Sequence, residues 1–337
     1  MKKPSAIWVP PRWFRVAVVT PIVFIVAGTV TLLSPLLHLA LAIIDLVDRR
    51  RWRFTRMGGL AIALCVTEFF GLIATFVLWV GTGLGWKIGS RWSQRAHNRV
   101  FGWYLELVTR ALRFYIGFDF DLPLTERIDG PILTFARHAG PGDAFLLART
   151  VIRDYHRQVR MLGTNKLLWD PFMNHMMLRL PNVFLERDPH NPQRQLDAIA
   201  SMCATMHDDS VVIIFPEGGN WTPDRWRGSI DSLTALGRAD RAGMAANMTH
   251  VLPPRTAAAQ AALQACHDMT VVFVVHEGLD DLYSLGQIWR SVPLDRTVRA
   301  SYWSVDRHEI PEDREQFTRW LYAEWARVDA WIDRHRP

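Results

Sequence analysis

The sequence predicts an α/β domain behind an N-terminal membrane-embedded helical region, and three observations carry that reading. Two long apolar segments fill the first quarter of the chain. Beyond Gly117, short apolar strands alternate with helical stretches, the pattern of an α/β sheet with its chemistry at strand ends. Hydrophobic residues make up 49% of the 337 and the mean hydropathy is +0.02, high for a soluble enzyme and in keeping with part of the chain lying in lipid. That length suits two domains, or one large domain with an appendage.

Val16 to Ile44 has no formally charged residue, and Met57 to Trp86 has only Glu68. Both exceed the roughly 20 residues that a membrane span needs. A central glutamate costs about 2.5 to 3.5 kcal/mol in a bilayer, but Phe69 to Trp86 nearly crosses alone, so Glu68 is expected at the edge. The apolar run from Val16 is too long for the core of a cleavable signal, although Lys2 and Lys3 precede it. Basic residues stand before the first segment (Arg12, Arg15), between the two (Arg49, Arg50, Arg51, Arg53, Arg56) and after the second (Lys87, Arg91, Arg95, Arg99). The positive-inside rule wants all three groups on one side. A simple two-span hairpin does not satisfy that, whereas a re-entrant or half-inserted pair does, with Pro21 and Pro35 available as breaks; the depth of insertion stays open.

From Ile88 to Tyr115, Ile88, Trp92, Ala96, Val100, Trp103 and Leu107 recur at helical spacing beside a stripe of Arg91, Arg95 and Arg99. This reads as an interfacial helix or as an ordinary domain helix with a basic solvent face, and its position after an anchor favours the interface. Strands are expected at Pro131–Phe135, Val159–Leu162, Val183–Leu185, Val211–Phe215 and Thr270–Val275. In the tail, Phe317, Trp320, Leu321, Trp325, Val328, Trp331 and Ile332 form a helical stripe expected to pack on the sheet. The organisation is then residues 1–86 as an anchor of two hydrophobic segments, 87–117 as an interfacial amphipathic helix, and 118–337 as the α/β domain with a C-terminal helix.

The net charge of +6 and pI near 9.5 favour an anionic membrane surface, a phosphorylated substrate or nucleic acid. Nucleic acid is disfavoured because the basic residues concentrate beside the apolar segments. Cys65, Cys203 and Cys266 are widely spaced, which indicates neither a disulfide framework nor a zinc knuckle. There is no G-x-S-x-G elbow, phosphate loop or H-E-x-x-H motif. Gly81, Gly83 and Gly85 sit in the second apolar segment, where helix packing or a helix end accounts for them better than a nucleotide site. Met176 and Met177 read as core.

Four stretches remain. In LTFARHAGPGDAFLL (133–147), Gly140, Pro141 and Gly142 let the chain curl so that His138 and Asp143 meet across five positions. A carboxylate on one imidazole nitrogen fixes the tautomer and leaves the other nitrogen free to take a proton from a hydroxyl. The plainer alternative is that Asp143 only caps the following helix and His138 is a surface loop residue. VVIIFPEGGNW (211–221) is a strand stopped by Pro216, followed by a loop whose amides suit an anionic or polar ligand. In 163–188, Lys166 and Arg187 each follow a strand and suit a phosphate. HVLPPRTAA (250–258) is a proline-stiffened turn with Arg255.

In this order, these four stretches resemble the glycerolipid (lysophospholipid) acyltransferase superfamily, specifically its membrane-bound 1-acylglycerol-3-phosphate acyltransferases. The likeness covers roughly residues 130 to 280. His138 and Asp143 match the H-x-x-x-x-D motif, Phe215-Pro216-Glu217-Gly218 match F-P-E-G, Lys166 and Arg187 match the basic positions of the second block, and Pro254 matches the proline of the last. The resemblance implies a mixed sheet flanked by helices, with the catalytic domain on the cytoplasmic face of a phospholipid membrane. It implies transfer of a fatty acyl group from acyl-CoA or acyl-carrier protein to the sn-2 hydroxyl of 1-acylglycerol-3-phosphate, giving phosphatidic acid with no metal or redox cofactor. It casts His138 as general base and Asp143 as its orienter, has Glu217 and Gly218 position the glycerol and phosphate end, and has Lys166 and Arg187 counter the phosphate charge. One departure stands out: where the motif continues Thr-Arg, this chain has Gly219 and Asn220. Arg225 and Arg227 are candidates to replace the missing cation. Another lysophospholipid or a glycolipid is the alternative acceptor, and a non-catalytic membrane-binding homologue the more distant alternative.

Overall fold

A computed structural model describes residues 8–48, 52–122, 128–140, 142–185, 192–280, 285–294 and 296–336. The chain packs as two compact units, one formed by Met1–Asp119, Val151–Pro192 and Leu285–Arg296, the other by Phe120–Thr150, Gln193–Ser284 and Thr297–Pro337.

The first unit opens on a helical run from Arg12 to Asp48 that neither Pro21 nor Pro35 interrupts. Pro21 has no N–H to give the preceding turn, and the chain relaxes there into a π-helix at Arg15–Val19, where the Thr20 N–H and hydroxyl both donate to the Arg15 carbonyl. Pro35 lies inside the helix proper. Trp52 in the left-handed region turns the chain into the helix Arg53–Gly81, whose first amides are capped from across the turn: Asp45 accepts from Phe54 (3.1 Å) and Thr55 (2.6 Å). Phe24 stacks on Phe69, Phe69 lies against Gly28, and Leu41 lies against Gly58. These contacts make the pair an antiparallel hairpin. Both helices are long and apolar enough to cross a membrane, and the first exposes large aliphatic side chains along its length, Leu32 and Val47 at 80%.

Glu68 faces protein. It is buried, accepting from the Phe172 N–H at 3.0 Å and the Tyr104 hydroxyl at 3.1 Å, while Arg179 donates to the Thr75 carbonyl about two turns on. A carboxylate given two donors in this way no longer has to seek the bilayer edge. Gly71 permits the close approach of Phe172, whose ring stacks on Tyr104 at 3.8 Å. Gly81 ends the helix, and Gly83 and Gly85 take positive φ in the turn after it, so this glycine cluster is a helix end. Met176 and Met177 are core.

The helix Arg91–Ile116 is capped by Ser90 and closed by Gly117 at φ 72°. Its buried face is Ser93, His97, Phe101, Tyr104 and Leu105, displaced by about one residue from the apolar stripe read in the sequence. That stripe stays half-exposed, with Trp92 at 60%. Polar residues fit the buried face because they bond locally: His97 to the Ser93 carbonyl, and Asn98 to the Arg157 carbonyl and the Val159 N–H. Gln158–Thr164 and Val183–Leu185 pair in parallel, Leu162 opposite Val183.

In the second unit Ile132–Ala136 lies between two parallel neighbours, Ser210–Ile214 and Thr270–Glu277, with Ile132 opposite Val211 on one side and Thr270 on the other. All five residues of the central strand are buried, as a strand covered on both faces requires. Arg296–Val305 runs antiparallel to Thr270–Glu277, from Val271 opposite Val305 to Glu277 opposite Arg299, which makes the sheet mixed. The sequence reading omits this strand and Phe118–Asp121; both mix charged residues with aromatics and lack the continuous apolar run of the buried strands. The helix Arg314–His335, capped by Asp313, buries Phe317, Leu321, Trp325, Val328 and Ile332, and Trp320 and Trp325 meet Phe273 of the sheet. Because three adjacent strands are parallel, Arg137–His138, Phe215–Glu217 and His276–Gly278 all emerge at one sheet edge, where the fold gathers chemistry.

Candidate active site

The Arg137 N–H still donates to the Val274 carbonyl at 3.1 Å, so the ladder holds the chain up to the residue before His138. The chain then curls through Gly140 and Gly142 into the helix Asp143–Arg153. Nδ1 of His138 lies 3.0 Å from both oxygens of Asp143. Asp143 also accepts from the N–H groups of Gly140 (3.0 Å) and Ala144 (2.7 Å), so the capping role and the pairing role coexist in one carboxylate. The two side chains differ in access, His138 at 21% and Asp143 at 2%. Burial works to raise the Asp143 pKa, but the hydrogen bond from His138 and the close approach of the His276 ring outweigh it and hold the carboxyl well below the ordinary range. The pair is an ionised, buried orienter behind a partly exposed imidazole.

Glu217 braces this turn from below. One oxygen accepts from the His138 N–H and the other from the Leu252 N–H, both at 2.8 Å, and the side chain is buried. Both of its oxygens are thus committed to backbone amides. Burial pushes its pKa up to about 7 against those two bonds and the nearby charges of Arg137 and His138. The same loop encloses His138 on two further sides, Phe215 with its ring at 4.6 Å and Trp221 with its N–H on the His138 carbonyl at 2.9 Å.

Gly218 has φ 66°, and a Cβ there would lie 2.9 Å from the Arg255 guanidinium carbon. Arg255 donates its backbone N–H to the Pro216 carbonyl at 2.8 Å. Through Leu252 and Arg255, the segment of buried Pro254 docks on the Phe215–Gly218 turn. Arg225 lies against Gly219 and donates to the Asn220 carbonyl at 3.0 Å, while Arg227 pairs with Asp224 on an exposed helix face. The guanidinium groups at the Gly218–Gly219 loop are thus those of Arg255 and Arg225. Lys166 is exposed on the 3-10 turn Asn165–Trp169 of the first unit, and is not among the residues that the second unit gathers round His138. Arg187 lies outside the described residues.

Sequence reasoning missed three residues. Arg137 is 1% exposed, paired through its two terminal nitrogens with Asp280, and donates to the carbonyls of His276 (2.8 Å) and His250 (3.0 Å). Asp280 is pushed up by burial but held below its ordinary range by the charge and hydrogen bonds of Arg137. His276 is buried, with Nε2 at 3.2 Å from the Arg137 carbonyl and 3.7 Å from Asp143 Oδ2. The signal was present: charged or titratable residues stand at the C-terminal ends of two apolar strands, in FARH and VVHEGLD.

Comparison with known proteins finds three likenesses. Residues 121–277 match the Acyltransferase family model. The mouse (Mus musculus) 1-acyl-sn-glycerol-3-phosphate acyltransferase epsilon is 23% identical over 256 residues, covering 71% of this chain and 68% of that protein. The crystal structure of the 1-acyl-sn-glycerophosphate (LPA) acyltransferase PlsC from Thermotoga maritima aligns with 82% of this chain and 98% of its own at 15% identity and a TM-score of 0.49. Residues 121–277, which match the family model, are also those that hold His138, Asp143 and Glu217.

Proposed function

We propose that the chain moves a fatty acyl group from a thioester, acyl-CoA or acyl-carrier protein, to the sn-2 hydroxyl of 1-acylglycerol-3-phosphate, giving phosphatidic acid. The observation that carries this is the half-exposed His138 ring tied through Nδ1 to the buried Asp143 carboxylate. With Nδ1–H donated to Asp143, Nε2 is the nitrogen that takes the hydroxyl proton as the oxygen attacks the thioester carbonyl. The C–O bond forms, the C–S bond breaks, and the proton passes to the departing thiolate. No electrons are transferred to or from carbon, so the step balances without a redox cofactor, and the thioester is a co-substrate.

The choice of acceptor is supported by the name of the mouse relative and by the Arg225 and Arg255 guanidinium groups on the Gly218–Gly219 loop, which suit a phosphate. Lys166 and Arg187 enter the reading only through the resemblance, as further counter-charges. Residues 1–86 are the membrane anchor, and 87–117 lie at the interface on their half-exposed Trp92, Val100 and Trp103. The basic residues Lys87, Arg91, Arg95 and Arg99, together with three free cysteines, support a reading in which the domain lies at the cytoplasmic face. There, lipid acceptor and thioester donor meet without the acceptor leaving the bilayer.

The test is thiol release from acyl-CoA by the protein in lipid, with and without lysophosphatidate, beside His138→Ala. Release that depends on the acceptor and falls about 100- to 10,000-fold in the variant is expected; near-normal turnover in His138→Ala rejects the base. Asn220 motivates a second reading, with another lysophospholipid or a glycolipid as acceptor. A preference for acceptors without a phosphate monoester would select it.

A further inference from the structure

Asp143 is held mainly by its own neighbourhood. Its partners His138, Gly140 and Ala144 all belong to the turn and helix start that Asp143 itself occupies. A carboxylate secured only by its own loop moves with that loop and cannot register it against the sheet. Among the described residues, one side chain from outside the turn reaches it: His276, with Nε2 3.7 Å from Oδ2.

His276 is suited to fix something. Its backbone sits in the ladder opposite Ala300. It exchanges contacts with Arg137, its Nε2 at 3.2 Å from the Arg137 carbonyl and the Arg137 guanidinium on its own carbonyl at 2.8 Å. Arg137 is itself pinned by Asp280 and the His250 carbonyl. Both atoms near Nε2, the Arg137 carbonyl oxygen and Asp143 Oδ2, are acceptors, which assigns the ring proton to Nε2. Nδ1 is buried with no hydrogen-bond partner among the described residues, so the ring is not retained to satisfy a structural bond on that side.

We infer that His276 is a positioning residue of this acyltransferase: its Nε2–H, anchored on the Arg137 carbonyl, holds Asp143 in register with the sheet, so that His138 meets the acceptor hydroxyl in one fixed orientation. The inference rests on the reading of His138 and Asp143 as base and orienter. It makes the site a carboxylate between two imidazoles, one facing substrate and one facing the core. Small displacements of a reacting group cost on the order of 100-fold, which sets the scale of the effect.

The experiment uses the full chain in lipid nanodiscs with acyl-CoA and lysophosphatidate, and compares His276→Phe, which keeps the ring shape without the donor, with His276→Gln, which keeps an N–H. His276→Phe is expected to lower kcat by roughly 10- to 100-fold while KM for both substrates and the melting temperature stay near wild type, and His276→Gln to recover most of the loss. In an Asp143→Asn background, His276→Phe is expected to cost less than about twofold more, since a residue that acts through Asp143 has nothing left to orient. Unchanged kcat in His276→Phe overturns the inference, as does an equal loss in both backgrounds. Should His276→Phe not fold, a folded His276→Gln with kcat below about a tenth of wild type overturns it as well. Full turnover in Asp143→Asn alone removes the base–orienter reading and this inference with it, whereas loss in Asp143→Asn with none in His276→Phe removes only the role of His276.

Discussion

Glu217→Gln separates two forces that oppose each other at one buried carboxylate. Two backbone N–H groups at 2.8 Å favour its ionised form, and burial favours its neutral form; burial wins and the pKa rises from 4.5 to about 7. A carboxyl whose folded pKa lies above its unfolded value binds its proton more tightly when folded. Its contribution is therefore complete below pH 4.5 and is lost as pH rises toward 7. At about 1.4 kcal/mol per pH unit, that interval amounts to about 3 kcal/mol, or on the order of 5–10 °C in the apparent melting temperature. Glutamine is shaped like the neutral acid and does not titrate, so the advantage of wild type over Glu217→Gln should shrink by that amount between pH 4.5 and 7 and then level off. Tryptophan fluorescence during thermal unfolding in nanodiscs reads it. A gap that widens with rising pH would show that the two amide bonds outweigh burial, and a constant gap would show that Glu217 holds one protonation state throughout; either refutes the reasoning.

Arg255→Gln should raise KM for lysophosphatidate about tenfold with little change in kcat, because the guanidinium lies at the Gly218 loop while the His138–Asp143 pair is untouched; steady-state kinetics with varied acceptor checks it. Trp325→Ala should cost about 3–5 kcal/mol of stability, since Trp325 is fully buried against Phe273, and a fall of the fluorescence melting midpoint by ten degrees or more is the readout.

The parts of this molecule that were legible in the sequence are those whose physics is local. Uninterrupted apolarity marked the hairpin helices, and buried runs such as Ile132–Ala136 marked the central strands. A glycine-bracketed turn brought His138 to Asp143. What sequence could not show was decided by partners distant along the chain. Glu68 faces inward because Tyr104 and Phe172 supply donors. Glu217 faces inward because His138 and Leu252 do. A carboxylate next to glycines looks the same in sequence whether it meets substrate or backbone. His276 was hidden for the same reason: a histidine at a strand end acquires meaning only when parallel pairing brings that end beside Asp143.

The replacement of the motif's arginine by Asn220 follows the same logic. A recognition cation has to reach the loop after the strand Ser210–Ile214; nothing requires it to be encoded there. Gly218, at φ 66°, and Gly219 present bare backbone, and on that surface two guanidinium groups arrive from elsewhere, Arg225 from the helix Pro223–Ala235 and Arg255 from the residue capping Thr256–Ala265. Arg225 is tied to the Asn220 carbonyl, a bond that any residue at 220 leaves available since it uses only backbone. Arg255 is placed through its own N–H on Pro216. The side chain at 220 is thereby relieved of the charge it carries in the motif, and the cations near the loop are set by packing between segments about 30 residues apart in sequence. If that is how the acceptor phosphate is read, restoring the motif with Asn220→Arg adds a third cation to a loop that already holds two. It should then leave acceptor KM within about twofold, well short of the tenfold change expected from Arg255→Gln. A tenfold gain in affinity from Asn220→Arg would show instead that the loop had lacked its cation, and would shift the proposed acceptor away from a phosphate monoester.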